Sequence, residues 1–340
     1  MKQRCTRFKA LRPAAILAGE SVSSTAALEQ LSMRKVGIVG AGAVGAACAM
    51  ALSLRRSADE VVLVNRTPAK SVGVATDITY GAAMGDVTAV YSGDIADLTG
   101  CSVVLLTAGV NEKTGGATDR SDKEGRLKLL TANAEIYREL VPAIVAAAPD
   151  AVIIVVTDPP DPLTDIARTA AGHERVFGTG TFLDSLRFRT HLARHFGVAP
   201  TAVDALVLGE HGTSSVFLWS SARIAGRPVE TLLDRPAETK EQIERDVRQA
   251  NITIIEGIGA SQYGIGIVSA RIAEAVLRDE KVVLPVSRPQ KTFGVSLSLP
   301  SVIGAAGVER VLTPQMSQQE EAALRASARH IADASARLKQ

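Results

Sequence analysis

Little in the 340-residue sequence crosslinks, spans a membrane or attracts polyanions. Its three cysteines, Cys5, Cys48 and Cys101, show no CxxC spacing. That excludes a disulfide framework and a cysteine zinc site, no metal is expected, and a reducing, cytoplasmic setting fits. Cys48 lies in an apolar helical run and reads as packing. Charge of one sign is also lacking: 38 Lys and Arg stand against 36 Asp and Glu, so no basic field would drive nucleic-acid binding. No apolar run reaches the about 18 residues that a membrane span needs. Gly and Pro, 28 and 14, are too few for a collagen-like or low-complexity chain. What remains is a globular composition, long enough for one large domain or two intimate ones.

Positive charge concentrates in residues 1–32, with Lys2, Arg4, Arg7, Lys9 and Arg12 against Glu20 and Glu29. A transit peptide would share that bias. Met33 opens a natural start, however, so 1–32 is treated as an N-terminal extension, a mis-called start or a loose arm, outside the fold.

From Lys35 onward strand-like and helix-like patterns alternate. Val36–Val39, Val61–Val64, Ser102–Leu106 and Val152–Val156 are short, unalternating apolar runs, as buried parallel strands are. Ala43–Arg55 and Leu127–Ala147 read as helices, the second with Leu130, Ala134, Tyr137, Val141 and Ile144 on one face. Repeated β-α-β order implies right-handed crossovers and a doubly wound parallel sheet. After Gly180 a long helical segment, Glu238–Arg278, precedes strands at Val282–Ser287 and Thr292–Leu299, the second alternating. Ser317 and Glu320 form a capping-box pair opening a last amphipathic helix. The expected class is α/β: a Rossmann-type domain over 33–179, followed by a mixed α+β catalytic domain over 180–340.

The Gly40-Ala41-Gly42-Ala43-Val44-Gly45 turn follows a strand and opens a helix, the context a dinucleotide fingerprint requires. Gly40 permits the turn, Gly42 lets a pyrophosphate approach, and Gly45 lets helix and sheet pack closely. At the end of the second strand an NAD site would place an acid on the ribose. Here the chain reads Asn65-Arg66-Thr67, which favours a 2′-phosphate and hence NADP over NAD. Gly209-Glu210-His211-Gly212, the segment Gly180–Arg189, Thr107-Ala108-Gly109 and Thr157-Asp158-Pro159-Pro160-Asp161 complete the pattern.

With these segments, "GRLKLLTANAEIY" and "GVSLSLPSVIG", the sequence resembles the L-lactate/malate dehydrogenase family over nearly all of 34–338. The resemblance implies hydride transfer between NAD(P) and an L-2-hydroxy/2-oxo monocarboxylic acid. His211 would be the proton donor and acceptor, Asp184 would hold its other ring nitrogen, and Arg187 would clamp the substrate carboxylate. Arg126 would polarise the carbonyl from a mobile loop. Ser261 and Asp158 would stand beside the substrate. Thr107, Ala108, Gly109, Asn133, Val156 and Asp158 would add to the cofactor contacts of Gly40, Gly42, Ala43, Val44, Gly45, Asn65, Arg66 and Thr67. The family forms dimers and tetramers, so a homodimer or homotetramer is expected.

Three departures stand out. Asp158 occupies the place of a family Asn and, ionised, has no hydrogen to donate. The acid after the second strand is missing. The loop from Asn111 to Arg126 is about eight residues longer than usual in the family. That loop carries Glu112, Asp119, Asp122 and Glu124 against Lys113, Arg120 and Lys123, which should penalise a second substrate carboxylate. Malate dehydrogenase is the enzymatic alternative. A nucleotide-binding, redox-sensing pseudoenzyme is the alternative of another class.

Overall fold

The computed structural model of the chain describes residues 33–85, 88–110 and 129–339. Arg126, the rest of 111–128, Cys5 and the N-terminal extension lie outside the described residues.

Six parallel strands form the body of one sheet: β1 (Lys35–Val39), β2 (Glu60–Val64), β3 (Ala89–Gly93), β4 (Val103–Leu106), β5 (Val152–Val155) and β6 (Val176–Gly178). Their spatial order is β3-β2-β1-β4-β5-β6, the doubly wound arrangement expected for a dinucleotide fold. β4 and β5 are buried at every position, because helices cover both faces of a parallel sheet. α1 (Ala43–Arg55), α2 (Pro68–Ala82), α3 (Leu130–Ala147), α4 (Pro160–Ala171) and α5 (Phe182–Phe196) connect or follow these strands. α3 buries Leu130, Ala134, Tyr137, Val141 and Ile144, the face its apolar spacing predicts.

Short ribbons follow: β7 (Val203–Asp204), β8 (Val207–Leu208), β9 (Val216–Phe217), β10 (Arg223–Ile224) and β11 (Arg227–Pro228). The expected helix over 238–278 is two helices, α6 (Pro236–Ile258) and α7 (Tyr263–Leu277). The break falls where Gly259, at φ +84°, donates its N–H to the Ile255 carbonyl. Glycine alone takes that left-handed conformation at little cost, and it ends the helix.

The later strands do not form a separate sheet. β12 (Val282–Gln290), β13 (Val295–Gly304) and β14 (Gly307–Val311) extend the parallel sheet antiparallel to β6, in the order β14-β13-β12-β6. β13 was expected to alternate between core and solvent, yet all ten of its residues are buried. Its serines are held inside the protein. Ser296 donates from N and Oγ to Asp165, and Ser298 Oγ accepts from the Thr181 N–H. α8 (Gln318–Ala336) closes the fold from a Ser317–Glu320 capping box, as its sequence predicts.

Cys48 and Cys101 are both buried, and burial pushes each thiol up to about 12, so they are packing groups and not nucleophiles. Among the described residues no group of His, Cys, Asp and Glu could hold a metal, and no helix is long and apolar enough to cross a membrane.

Candidate active site

The strand ends β1, β4 and β5 and the start of α5 meet at one cleft. At its first end the wall is main chain. Gly40 sits at φ +113°, and a Cβ there would lie 2.6 Å from the Ala108 nitrogen. A Cβ on Gly45 would fall 1.8 Å from the Gly40 oxygen. Both positions therefore admit only glycine without rearrangement. At Gly42 the contrary holds: no atom lies within 4 Å of a Cβ placed there, and no side chain caps the start of α1. Open space before an uncapped helix N-terminus, with Ala43 and Val44 in its first turn, suits a pyrophosphate. These residues fit a dinucleotide.

Four predicted cofactor residues serve the frame of this end. The Asn65 carboxamide accepts from the Ala41 N–H at 3.0 Å and donates to the Thr67 carbonyl at 3.0 Å. Asn133 is fully buried. It accepts from the Val110 N–H at 2.7 Å and donates to the Asp158 carbonyl at 2.9 Å, which ties the ends of two strands together. Thr107 Oγ1 donates to the Gly40 carbonyl at 2.7 Å, and Ala108 accepts from Thr157 Oγ1. Arg66 and Thr67 are exposed. Val44, Thr107, Gly109 and Val156 line the cleft.

At the other end the wall is side chains. Asp158, Arg187, His211 and Ser261 line it, with Thr179, Gly180 and Asn251. Asp184, buried in the first turn of α5, holds two partners. Its Oδ2 lies 2.5 Å from His211 Nδ1, and its Oδ1 accepts from Arg187 Nη1 at 3.0 Å, one helical turn on. The imidazole thus turns Nε2 away from Asp184. Asp158 Oδ1 lies 3.9 Å from that Nε2, so His211 has a carboxylate on each side.

Sequence reasoning gave no role to Asp161 in the same Pro-rich turn. It is buried, and its Oδ2 accepts the His211 N–H at 2.8 Å. Burial pushes its carboxyl up to about 7. Asn251 was also missed. It sits on α6 among apolar residues, and nothing in its local sequence marks it as facing a cleft.

The His211 turn has a backstop. Gly209 bridges to Ser298 of β13. The Glu210 N–H donates to Ser327 Oγ of α8 at 2.9 Å, and His330 Nε2 lies 3.6 Å from Glu210 Oε1.

The family model for the lactate/malate dehydrogenase NAD-binding domain matches residues 34–178. That for the lactate/malate dehydrogenase alpha/beta C-terminal domain matches 181–338. This chain belongs to the lactate/malate dehydrogenase family. It is 46% identical over 299 residues to an L-lactate dehydrogenase of Deinococcus radiodurans, a match covering 86% of this chain and 96% of that one. It is 43% identical over 305 residues to an L-lactate dehydrogenase of Thermus aquaticus, with the same coverage. The crystal structure of a minor L-lactate dehydrogenase from Enterococcus mundtii superposes with a TM-score of 0.82 at 33% identity, over 89% of this chain and 98% of that one. The family is one of nicotinamide-dependent oxidoreductases, and the NAD-binding model covers the Gly40–Gly45 turn.

Proposed function

We propose that the chain is an L-2-hydroxy acid dehydrogenase of the lactate type, interconverting a 2-oxo and an L-2-hydroxy monocarboxylic acid with NAD(H) or NADP(H). The Asp184–His211–Arg187 constellation, opening into the cleft that begins at the Gly-rich turn, carries this reading. When bound, the nicotinamide supplies or accepts the hydride. His211 Nε2 gives a proton to the carbonyl oxygen on reduction and takes it back from the hydroxyl on oxidation. Asp184 fixes the ring through Nδ1 and leaves Nε2 for the substrate. Arg187 has N–H groups beyond the one on Asp184, and these clamp the substrate carboxylate. Ser261 borders the same space. Arg126 keeps its assignment as carbonyl polariser through the resemblance alone. An ionised Asp158 accepts from a hydroxyl and donates nothing to a keto oxygen.

Turnover with pyruvate, 2-oxoisocaproate, phenylpyruvate and oxaloacetate, each with NADH and NADPH, tests the reading. A monocarboxylic acid should lead, because the described cations of the cleft's lining, Arg187 and the proton-donating His211, are taken by the first carboxylate and the C2 oxygen. A lead of tenfold or more for oxaloacetate would assign the chain to malate, and turnover of none to a pseudoenzyme.

Preference for NADP rests on exposed Arg66, with Thr67 beside it, since Asn65 is engaged with the Gly-rich turn. Arg66→Ala should weaken NADPH by about 1.5–3 kcal/mol, one charge-assisted contact, and leave NADH unchanged. Equal catalytic efficiency with both cofactors in the unmutated protein would sink the preference. A homodimer or homotetramer is supported by Val72 and Tyr80, exposed on α2, and Met84, exposed in the turn after it, where a partner would cover them. Sedimentation at micromolar concentration checks it. Two buried free thiols fit a cytoplasmic location.

A further inference from the structure

The acid–base and clamping roles leave the side-chain amide at the substrate end, that of Asn251, without a role. Asn251 is 7% exposed and lines the cleft together with Arg187, His211 and Ser261. On α6 it stands in the row Ile243, Val247, Asn251, Ile255, all buried and four residues apart. That row is the core-facing stripe of the helix, where an apolar residue is the rule. The Asn251 carboxamide has no hydrogen-bond partner in the protein among the described residues. Asn133, the other buried amide of the cleft region, has its oxygen and its nitrogen engaged.

The carboxamide is not among the buried unpartnered atoms of the described residues, so it reaches the open space of the cavity it lines. Its partner can therefore arrive with the ligand. Arg187 takes the carboxylate of a 2-oxo acid and His211 the oxygen on C2. The third substituent of C2 is what remains for Asn251 to meet. A second carboxylate there would enter a lining that already holds Asp158 3.9 Å from His211 Nε2, and the described lining cations, Arg187 and the proton-donating His211, are taken by the first carboxylate and the C2 oxygen. An uncompensated buried charge is disfavoured. A hydroxyl is not, and it can donate to Oδ1 or accept from Nδ2 whichever way the amide is turned.

We propose that Asn251 is a specificity-determining residue, selecting 2-oxo and 2-hydroxy monocarboxylic acids that carry a hydroxyl on C3 over those that carry an alkyl group there. This rests on the dehydrogenase reading above. A site built to bond a hydroxyl rejects the analogue lacking it far more strongly than an apolar pocket rejects an added hydroxyl.

3-Hydroxypyruvate and 2-oxobutanoate differ only by hydroxyl against methyl, and kcat/KM for both is measured with the reduced cofactor. The unmutated enzyme should favour hydroxypyruvate at least tenfold. Asn251→Ala and Asn251→Val should each lower that ratio at least tenfold; a ratio of ratios cancels the intrinsic reactivity of the two carbonyls. Asn251→Ser, which keeps a hydrogen-bonding group, should retain more of the preference than Asn251→Val. Thermal melting of each variant checks folding, and the ratio in the unmutated enzyme stands without any variant. Equal use of the two acids, a ratio that survives Asn251→Ala, or oxaloacetate outrunning hydroxypyruvate would each overturn the proposal. Turnover of pyruvate without a C3 preference would overturn this inference alone. Turnover of no 2-oxo acid would overturn the dehydrogenase reading, and this inference with it.

Discussion

Main-chain atoms shape the cofactor end of the cleft, whereas ionised side chains shape the substrate end. At the first, a Cβ on Gly40 or Gly45 would fall within 3 Å of backbone, and the nearby Asn65, Thr107 and Asn133 spend their polar atoms on backbone partners. At the second, Asp158, Asp184, Arg187 and His211 interact with one another. Main-chain walls tolerate almost no added atom but recognise any ligand of the right shape. Side-chain walls tolerate change in outline but depend on each charge having its partner. Substitutions should therefore fail differently at the two ends.

The largest effect is expected at the substrate end. His211→Ala should lower turnover by about 10²–10⁴-fold, the worth of a positioned acid–base group, while NADH affinity, read by fluorescence titration, stays within twofold. Asp184→Asn should lose less, because the amide can still accept from Nδ1. If NADH affinity fell with turnover, the two ends would not be separable.

Gly45→Ala is the counterpart. Its Cβ would meet the Gly40 oxygen, and overpacking of this kind costs about 1–3 kcal/mol. NADH affinity and melting temperature should both drop. KM for the 2-oxo acid, measured at saturating NADH, should hold. A variant with normal NADH affinity would show that the turn has slack the geometry denies.

The smallest effect concerns Asp161, which holds the His211 N–H from the first turn of α4. Burial pushes its carboxyl up to about 7, against about 4 in an unfolded chain. Between those values the unfolded chain has released the proton that the folded chain keeps. Stability from this group therefore falls as pH rises through that window, and the penalty is complete above it. Asp161→Asn retains an acceptor for the His211 N–H and removes the ionisation. Its melting temperature relative to the unmutated protein should be roughly 2–4 °C better near pH 8 than near pH 4.5. Equal differences at both pH values would refute the ionisation account.

The contrast between the two ends also explains what was legible in the sequence. Gly40, Gly42 and Gly45 are close in the chain, and the space they require is written in their spacing. Four of the six parallel strands, β1, β2, β4 and β5, were legible for the same local reason, as short unbroken apolar runs, whereas β3 and the three-residue β6 were not read. His211 and the Asp184–Arg187 pair come from separate segments and became readable only through resemblance. Asn251 and Asp161 were not read as site residues, because one polar residue in an apolar helix face and one acid in a Pro-rich turn have no local signature. The joined helix over 238–278 was misread because Gly259 at the end of an amphipathic pattern looks like a tolerated glycine until its positive φ is seen. β13 was misread because its serines look like solvent-facing positions, whereas Ser296 and Ser298 bond to Asp165 and Thr181.

The backstop behind His211 gives the two ends different birthdays. Glu210 leans on Ser327, 117 residues further along the chain. A ribosome adding about 5–20 residues per second needs roughly 6–23 s to travel that distance. Throughout that interval β1–β6 and the Gly-rich turn have already been made, yet the segment bearing His211 lacks α8, and for most of it β13 as well, to rest against. A growing chain thus gains the means to hold a nucleotide before it gains a braced acid–base group, and an incomplete chain that has bound cofactor is not yet a working dehydrogenase.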